Sequence, residues 1–464
     1  MNPSKVIEKL VIDGISADGK SVGRQDKRVY FVKNGAPGDI VDIRVIGKQK
    51  KFFEGEIIHY HTKSADRTES FCEHFGTCGG CKWQHIQYEA QLRHKQDHVE
   101  QNLIKIGKTD LPELQPILGS ANTTYYRNKL EYTFSDMRWL TREEIDKGEE
   151  LSRNALGFHI PRRFDKILDI NHCWLQASPS NEIRLSVKEY AEANGLTFFN
   201  LQSQVGLLRN LIIRSSTTGD LMVIVQFFYD DAKAIDGLMS HLKNTFSQIS
   251  SLMYIINEKK NETFYDLPVH CYHGDPYIHE EMEGLKFRIG PKSFYQTNSI
   301  QAYELYKVTR DFAGLKGDEV VYDLYTGTGT IANFIAKEAK KVIGVESVEE
   351  AIIDARINSE LNGITNTTFL AGDMKDMMND EFVAKYGRPD VIITDPPRAG
   401  MHQKVVEMLI RIKPEKLVYV SCNPATQARD LELLAEAFEV VAIQPVDMFP
   451  QTHHVENVML LKAK

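Results

Sequence analysis

Two side chains near the C-terminal end of the sequence have the types and the setting for covalent chemistry. Cys422 ends the run Leu417-Val418-Tyr419-Val420-Ser421-Cys422, and Asn423-Pro424 then stops the strand. A thiol at that point stands at the strand ends, the edge where open α/β sheets bind ligands. The alternative is a buried cysteine acting as a small hydrophobe. About thirty residues on, Asp447-Met448-Phe449-Pro450-Gln451-Thr452-His453-His454-Val455-Glu456 offers a carboxylate, Glu456, just before the strand Asn457 to Leu461. Taken alone, it reads as a surface acid at a strand start. A second cluster is metal-like. Cys72, Cys78 and Cys81 form C-x5-C-x2-C, with Gly76, Gly79 and Gly80 letting the backbone wrap tightly. Three thiolates need a fourth ligand, and Cys173 in Ile170-Asn171-His172-Cys173 is the candidate. Three-plus-one spacing suits an iron–sulfur cluster. Zinc, which prefers paired C-x2-C knuckles, stays open with His74 or His85 in place of Cys173.

These groups need a scaffold, and from about Phe287 the chain alternates β and α segments, the pattern of a parallel sheet covered by helices. The strand Val320 to Leu324 runs into Tyr325-Thr326-Gly327-Thr328-Gly329-Thr330, and a helix Ile331 to Lys337 follows. A lone G-x-G also suits a dinucleotide or a mere turn. The next strand ends in Glu346, placed to hold the two hydroxyls of a ribose. Asp373 follows the third strand, within reach of an adenine amino group. The fourth, Asp390 to Thr394, ends in Asp395-Pro396-Pro397-Arg398-Ala399-Gly400. Glycine loop, acid, acid and D-P-P in this order resemble the class I S-adenosylmethionine methyltransferases, a Rossmann-like α/β fold. Amine methyltransferases of that class carry an aromatic after the prolines; here the position is Arg398, which disfavours amine methylation. Cys422 suits another acceptor. Uracil C5 is a poor nucleophile until a thiolate adds at C6. Once C5 is methylated, its proton must be removed before the thiol can leave.

Together these motifs resemble the RNA uridine-5 methyltransferases, which make 5-methyluridine. The resemblance implies Cys422 as nucleophile and Glu456 as general base. It implies cofactor contacts at Gln296, in Phe294-Tyr295-Gln296-Thr297-Asn298, and at Tyr325, Thr330, Glu346, Asp373 and Asp395. It also implies that Cys72, Cys78, Cys81 and Cys173 hold a [4Fe-4S] cluster, leaving zinc a minor alternative. Many relatives carry a cysteine after the aromatic of the glycine loop, where this chain has Thr326; the expected function is unchanged. A non-catalytic RNA-binding protein of the same fold is disfavoured by the intact Cys422 and Glu456.

Residues 5–60 read as a small β-barrel of short segments separated by turns such as Gly35-Ala36-Pro37-Gly38-Asp39. Lys20 to Lys51 holds nine Lys/Arg against three Asp/Glu inside a chain of net charge −8, a local surplus open to a nucleic-acid backbone or a plain solvated surface. Arg28-Val29-Tyr30-Phe31-Val32 followed by that turn resembles the TRAM domain, an OB-like RNA-binding barrel. The barrel and cluster together imply 23S ribosomal RNA rather than transfer RNA as substrate. Residues 86–106 read as a helix, and 125–266 as β-rich with helices at 180–193 and 230–245. Asp136 to Arg153 reads as a charged helix or loop, and Arg127-Asn128-Lys129 as an RNA contact or a surface cluster. The expected division is 1–62 barrel, 63–88 with 120–285 a central domain carrying the cluster, 89–119 a helical excursion that can pack on the catalytic domain, and 286–464 the methyltransferase domain. No apolar run is long enough for a membrane span, and the N-terminus lacks a signal-like apolar core. A cytoplasmic monomer acting on RNA is expected, where six cysteines serve metal binding or catalysis rather than disulfides.

Overall fold

The computed structural model describes residues 5–49, 52–148 and 151–464. Residues 1–4, Lys50 and Lys51 of the expected barrel domain, and 149–150 of the charged segment, lie outside them. Strands β1 (Val6–Ile15), β2 (Ser21–Gln25), β3 (Arg28–Lys33), β4 (Ile40–Gln49) and β5 (Phe52–Thr62) close into a barrel in the order β1-β2-β3-β5-β4. Period-2 alternation turns Leu10, Ile12, Tyr30, Val32, Val41 and Ile43 inward. Arg24, Lys27, Arg28, Lys33 and Arg44 are left exposed outside. The Gly35–Asp39 turn is fixed by buried Asp39, which accepts from Ala36 N at 2.7 Å, Ser64 N at 2.9 Å and the Arg67 guanidinium at 2.6 Å.

Helix α1 (Tyr88–Asn102) continues into a π turn at Leu103–Gly107, its first half holding the cysteine segment through Gln91 and Arg93. Its Val99 and Leu103 enter a core shared with the C-terminal sheet. The central sheet follows, with β6 (Lys129–Ser135), a short charged helix α2 (Arg142–Lys147), β7 (Ala155–Ile160), β8 (Arg163–Asp169), helix α3 (Ser180–Ala193), β9 (Leu208–Ser215), β10 (Leu221–Phe227), helix α4 (Ala232–Thr245), β11 (Ser251–Ile256) and β12 (His270–Gly274), ordered β12-β11-β10-β9-β6-β7-β8. Strands β9 and β10 are buried on both faces. Leu211, Ile213, Val223 and Val225 pack on the α3/α4 side, whereas Ile212, Met222 and Ile224 join the core of the C-terminal unit.

The hairpin β13 (Ile278–Met282) and β14 (Leu285–Ile289) opens that unit, and its Ile278, Leu285, Phe287 and Ile289 share one core with the helices behind it. A division at 286 falls inside this hairpin. Then come α5 (Ser299–Ala313), β15 (Val320–Leu324), α6 (Thr330–Ile335), β16 (Lys341–Glu346), α7 (Glu349–Leu361), β17 (Thr367–Ala371), α8 (Met374–Met377), α9 (Asp380–Tyr386), β18 (Val391–Thr394), α10 (Gln403–Ile412), β19 (Lys416–Ser421), α11 (Pro424–Leu434), β20 (Phe438–Val446) and β21 (Glu456–Ala463). The sheet order is β17-β16-β15-β18-β19-β21-β20, and all its strands run the same way except β21, which is antiparallel to both β19 and β20. The order reverses between β15 and β18, which opens a crevice at the strand ends. No helix among the described residues is long and apolar enough to cross a membrane.

The β20–β21 connection, residues 447–455, is where the parts meet. Lys95 of α1 and Asp447 form a fully buried ion pair at 2.5 Å, and Lys95 also donates to Phe449 O at 3.0 Å. Tyr88 OH donates to the other Asp447 oxygen at 2.8 Å. Gln91 and Gln451 bond reciprocally at 2.9 Å. Removing one partner of a buried pair leaves the other charge stranded, at roughly 3–5 kcal/mol. Lys95→Met is therefore expected to lower unfolding stability by about that amount, with Asp447→Asn in the same chain recovering part of it, as read by urea denaturation.

Candidate active site

Cys422 stands one residue past β19. Asn423 then caps α11, its side chain accepting from Ala425 N at 3.2 Å, with Pro424 in the first turn. The thiol thus sits at the positive end of a helix. In the antiparallel register Ser421 faces Asn457, so one further step sets Cys422 opposite Glu456. Gln427 of α11 locks that pairing, donating to Tyr419 O at 3.0 Å and Asn457 O at 3.2 Å and accepting from Asn457 Nδ2 at 2.8 Å. The D-P-P-R turn is tied to the same place, because Asn423 Nδ2 and Thr426 Oγ1 both donate to Arg398 O, at 2.9 and 3.2 Å. Asp395 closes β18 alongside, its N–H donating to Leu324 O at 3.3 Å.

The electrostatics are those of an acidic cluster out of water. Burial pushes the Cys422 thiol up to about 11, with Glu456 and Asp395 adding to the rise and the Arg398 guanidinium opposing it by charge and hydrogen bond. Glu456, 5 % exposed, is raised well above the usual carboxylate range by burial and then by Asp395, again with Arg398 opposing. Burial and the charge of Asp323 lift Asp395 to about 7. Such groups are protonated more readily than in water, and Glu456 in its anionic form is a stronger base than an ordinary carboxylate.

Tyr325 follows β15 in the left-handed region, at φ +63°. Gly329 takes φ +73°, and a Cβ there would lie 2.8 Å from Ala355 Cβ and 2.9 Å from the Phe369 ring, so only glycine serves. Below the loop, buried Asp323 accepts from Thr326 Oγ1 and, at 3.1 Å, from Ala332 N. Glu346 accepts from Gly327 N at 3.2 Å with one oxygen and from Ser347 N and Val348 N, at 2.7 and 3.0 Å, with the other. Gln296 is buried beside this edge, and its carbonyl accepts from Asn128 Nδ2 at 2.8 Å. Two expected residues differ. Thr330 is buried in the first turn of α6, its hydroxyl 3.3 Å from that of Thr328, and Asp373 caps α8 with its carboxylate exposed and paired to Lys375 at 2.6 Å.

The four expected metal cysteines line a single cavity of about 800 Å3 in the central domain, away from Cys422. Burial raises all four thiols, Cys78 to about 11 and Cys81 to about 12, with neighbouring thiols adding to it at Cys78, Cys81 and Cys173 and Glu73 at Cys72. Among the described residues no three or more His, Cys, Asp or Glu side chains form a ready metal-ligand group. The histidines offered for a zinc site are otherwise engaged: His74 Nε2 accepts from Asn171 N at 2.9 Å, and His85 Nε2 meets Gly35 O at 2.9 Å.

The chain is similar to known proteins along its whole length. A family model described as tRNA (Uracil-5-)-methyltransferase matches residues 276–464, and a TRAM domain model matches 9–58. An uncharacterized RNA methyltransferase of Bacteroides thetaiotaomicron is 55% identical over 454 residues, 97% of this chain and 100% of that one. Another from Chlorobaculum tepidum is 39% identical over 467 residues, 98% and 95% of the two chains. The chain belongs to the S-adenosylmethionine-dependent RNA uracil-5 methyltransferases. Among solved structures, the Pyrococcus abyssi tRNA (uracil-54, C5)-methyltransferase in complex with S-adenosyl-L-homocysteine superposes with a TM-score of 0.76 at 27% identity, covering 98% of this methyltransferase and 100% of that chain.

In the sequence Arg398 counts only as a missing aromatic, yet in this methyltransferase its guanidinium opposes the rise of the Cys422 thiol. Its place directly after D-P-P, one strand from the cysteine, was the available signal. Asn128, read with its neighbours as an RNA contact or a surface cluster, is instead buried and binds the Phe294–Asn298 segment to the central domain, its N–H donating to Thr297 O at 2.7 Å. Since the thiolate reacts and the thiol does not, alkylation of Cys422 in RNA-free methyltransferase should keep rising with pH to about 11. Arg398→Ala removes the charge that favours the thiolate, so its rate should be lower at every pH below that. Iodoacetamide labelling quantified by peptide mass spectrometry checks both.

Proposed function

We propose that the protein methylates C5 of a uridine in RNA, with Cys422 as nucleophile and Glu456 as base. The observation that carries this reading is the β19–β21 register, which pairs Ser421 with Asn457 and so brings the next residue, Cys422, and the preceding one, Glu456, to the same sheet edge, with Asp395 alongside. The Cys422 sulfur forms a bond to C6 of the uracil, and the C5=C6 electron pair takes up the methyl that S-adenosylmethionine supplies. Glu456 then accepts the C5 proton, the C5=C6 double bond re-forms, and the Cys422–C6 bond breaks. Arg398 favours both the thiolate and the Glu456 anion. Tyr325, Glu346, Gln296 and Asp395, around the loop Gly327–Gly329, are the residues proposed to hold the methyl donor. Asp373 can reach it only by exchanging its Lys375 pair, and Thr330 supports the loop from within.

The substrate proposed is 23S ribosomal RNA, on the resemblance in barrel and cysteines. A second reading has its own observation. The Pyrococcus abyssi enzyme, named for a tRNA, matches this chain from end to end, so the barrel alone does not favour ribosomal RNA. Tritiated methyl transfer to undermodified ribosomal RNA and to undermodified tRNA, offered separately, discriminates the two.

RNA carrying 5-fluorouridine at the target tests the chemistry, because fluorine cannot leave as a proton does. A denaturation-stable adduct is expected with the wild type and none with Cys422→Ala; no adduct under turnover conditions would sink the mechanism. With ordinary RNA, Glu456→Gln should methylate and then hold its product covalently, and free turnover would remove Glu456 from the scheme.

Cys72, Cys78, Cys81 and Cys173 are proposed to hold a [4Fe-4S] cluster. Four sulfur donors around one apolar-walled cavity suit that group, whose thiolates each serve a different iron, better than one zinc ion. The cluster is proposed to brace the central domain, since methyl transfer moves no net electrons. Serine at any of the four positions should cut iron and sulfide content by more than half in anaerobically purified protein, whereas Cys271→Ser should not.

A further inference from the structure

Four aromatic side chains gather where the cysteine segment meets the start of the central sheet. The Trp174 ring centroid lies 5.5 Å from Tyr125, 4.7 Å from His172 and 5.5 Å from Phe71, and Tyr125 Oη is 3.0 Å from His172 Nε2. Tyr125 and Phe71 are each 38% exposed, so both rings present a face to solvent. Trp174 and His172 line the cysteine cavity, but Tyr125 and Phe71 do not, so the outer rings are not its wall. Tyr125 is held outward by a left-handed backbone, φ +53°, and its N–H donates to Trp174 O at 2.7 Å.

The next two residues join this cluster to the loop that ends in Glu456. Tyr126 OH donates to Pro450 O at 2.9 Å, and the Arg127 guanidinium lies 5.3 Å over the Phe449 ring. The charges of both Arg127 and Arg398 act on His454, which stands on that same loop. The aromatic cluster is thus tied through Tyr126 and Arg127 to the loop that leads into Glu456.

We propose that Tyr125 and Trp174, backed by Phe71 and His172 and flanked by Arg127, form a stacking platform for one unpaired base next to the target uridine. This rests on the reading that the substrate is RNA. An enzyme working on a ring atom takes its target out of the stack and leaves neighbouring bases without partners. Aromatic faces replace that stacking whatever the base, and a guanidinium beside them adds cation–π attraction and a phosphate contact.

The test uses the full-length protein and two fluorescein-labelled single-stranded probes read by anisotropy: octauridylate, and an octamer of abasic ribose phosphates. Tyr125→Ala and Trp174→Ala should each weaken octauridylate binding about tenfold and leave the abasic octamer unchanged, with Tyr125→Phe restoring affinity. Unchanged octauridylate binding would overturn the platform. So would equal losses on both probes, which would assign these rings to backbone contacts or folding, and so would a loss that tracks lost metal content in the same preparations. If the wild type bound neither probe, the RNA reading itself would fall with it.

Discussion

A thiol and two carboxyl groups share the ends of β18, β19 and β21 with little water around them, and the sheet has to make that tolerable. Each raises the proton affinity of the next, and Arg398 is the cation that opposes the rise at both Cys422 and Glu456. Left alone, such a cluster would take up protons and stay unreactive. The arrangement instead keeps a strong base and a reluctant thiolate side by side, biased by one guanidinium at the surface. The hydrogen bonds from Asn423 and Thr426 to Arg398 O, and those of Gln427 with Tyr419 and Asn457, hold these groups on rigid elements rather than on free loops.

The segment 447–455 is the mechanical counterpart of that cluster, because every part of the chain grips it. Helix α1 supplies the Lys95 pair and the Gln91 exchange, and the cysteine segment donates Lys82 N and Trp83 N to Gln451 O at 2.8 and 3.0 Å. The central domain contributes Tyr126, and α5 its cap Asn298, which donates to Met448 O at 3.0 Å. The barrel touches it too: a Cβ on Gly19 would meet His453 at 2.8 Å, and Trp83 Nε1 donates to Gly19 O at 3.0 Å. A segment bound this way sets where Glu456 enters β21. The barrel, the cysteine segment, the central domain and the sheet edge that carries Cys422 and Glu456 are therefore parts of one packed body.

The β/α alternation, the glycine loop and the acids at successive strand ends were legible in the sequence because each is local: a strand period, a turn that only glycine can make, a residue where a strand stops. Cys422 and Glu456 were legible as candidates for the same reason. Arg398 and Asn128 were not, since a charged residue in a turn and an amide before a strand look like surface until their partners are known. Thr330 and Asp373 were drawn toward the cofactor by motif position, whereas burial at the start of α6 and capping of α8 give each a simpler role. The boundary at 286 falls within the β13–β14 hairpin, whose short antiparallel strands carry none of the β/α alternation that marks the rest of the C-terminal unit. Its apolar face belongs to the other core.

By itself, then, the sequence carried the methyltransferase fold class, the N-terminal barrel and a small set of candidate residues at the strand ends. Tertiary structure decided which of them meet. The pairing of Cys422 with Glu456 depends on the register of β19 against β21, thirty-four positions apart along the chain, and on Lys95 reaching Asp447 from the far end of the molecule. Contacts of that range depend on three-dimensional packing, and no periodicity or spacing encodes them.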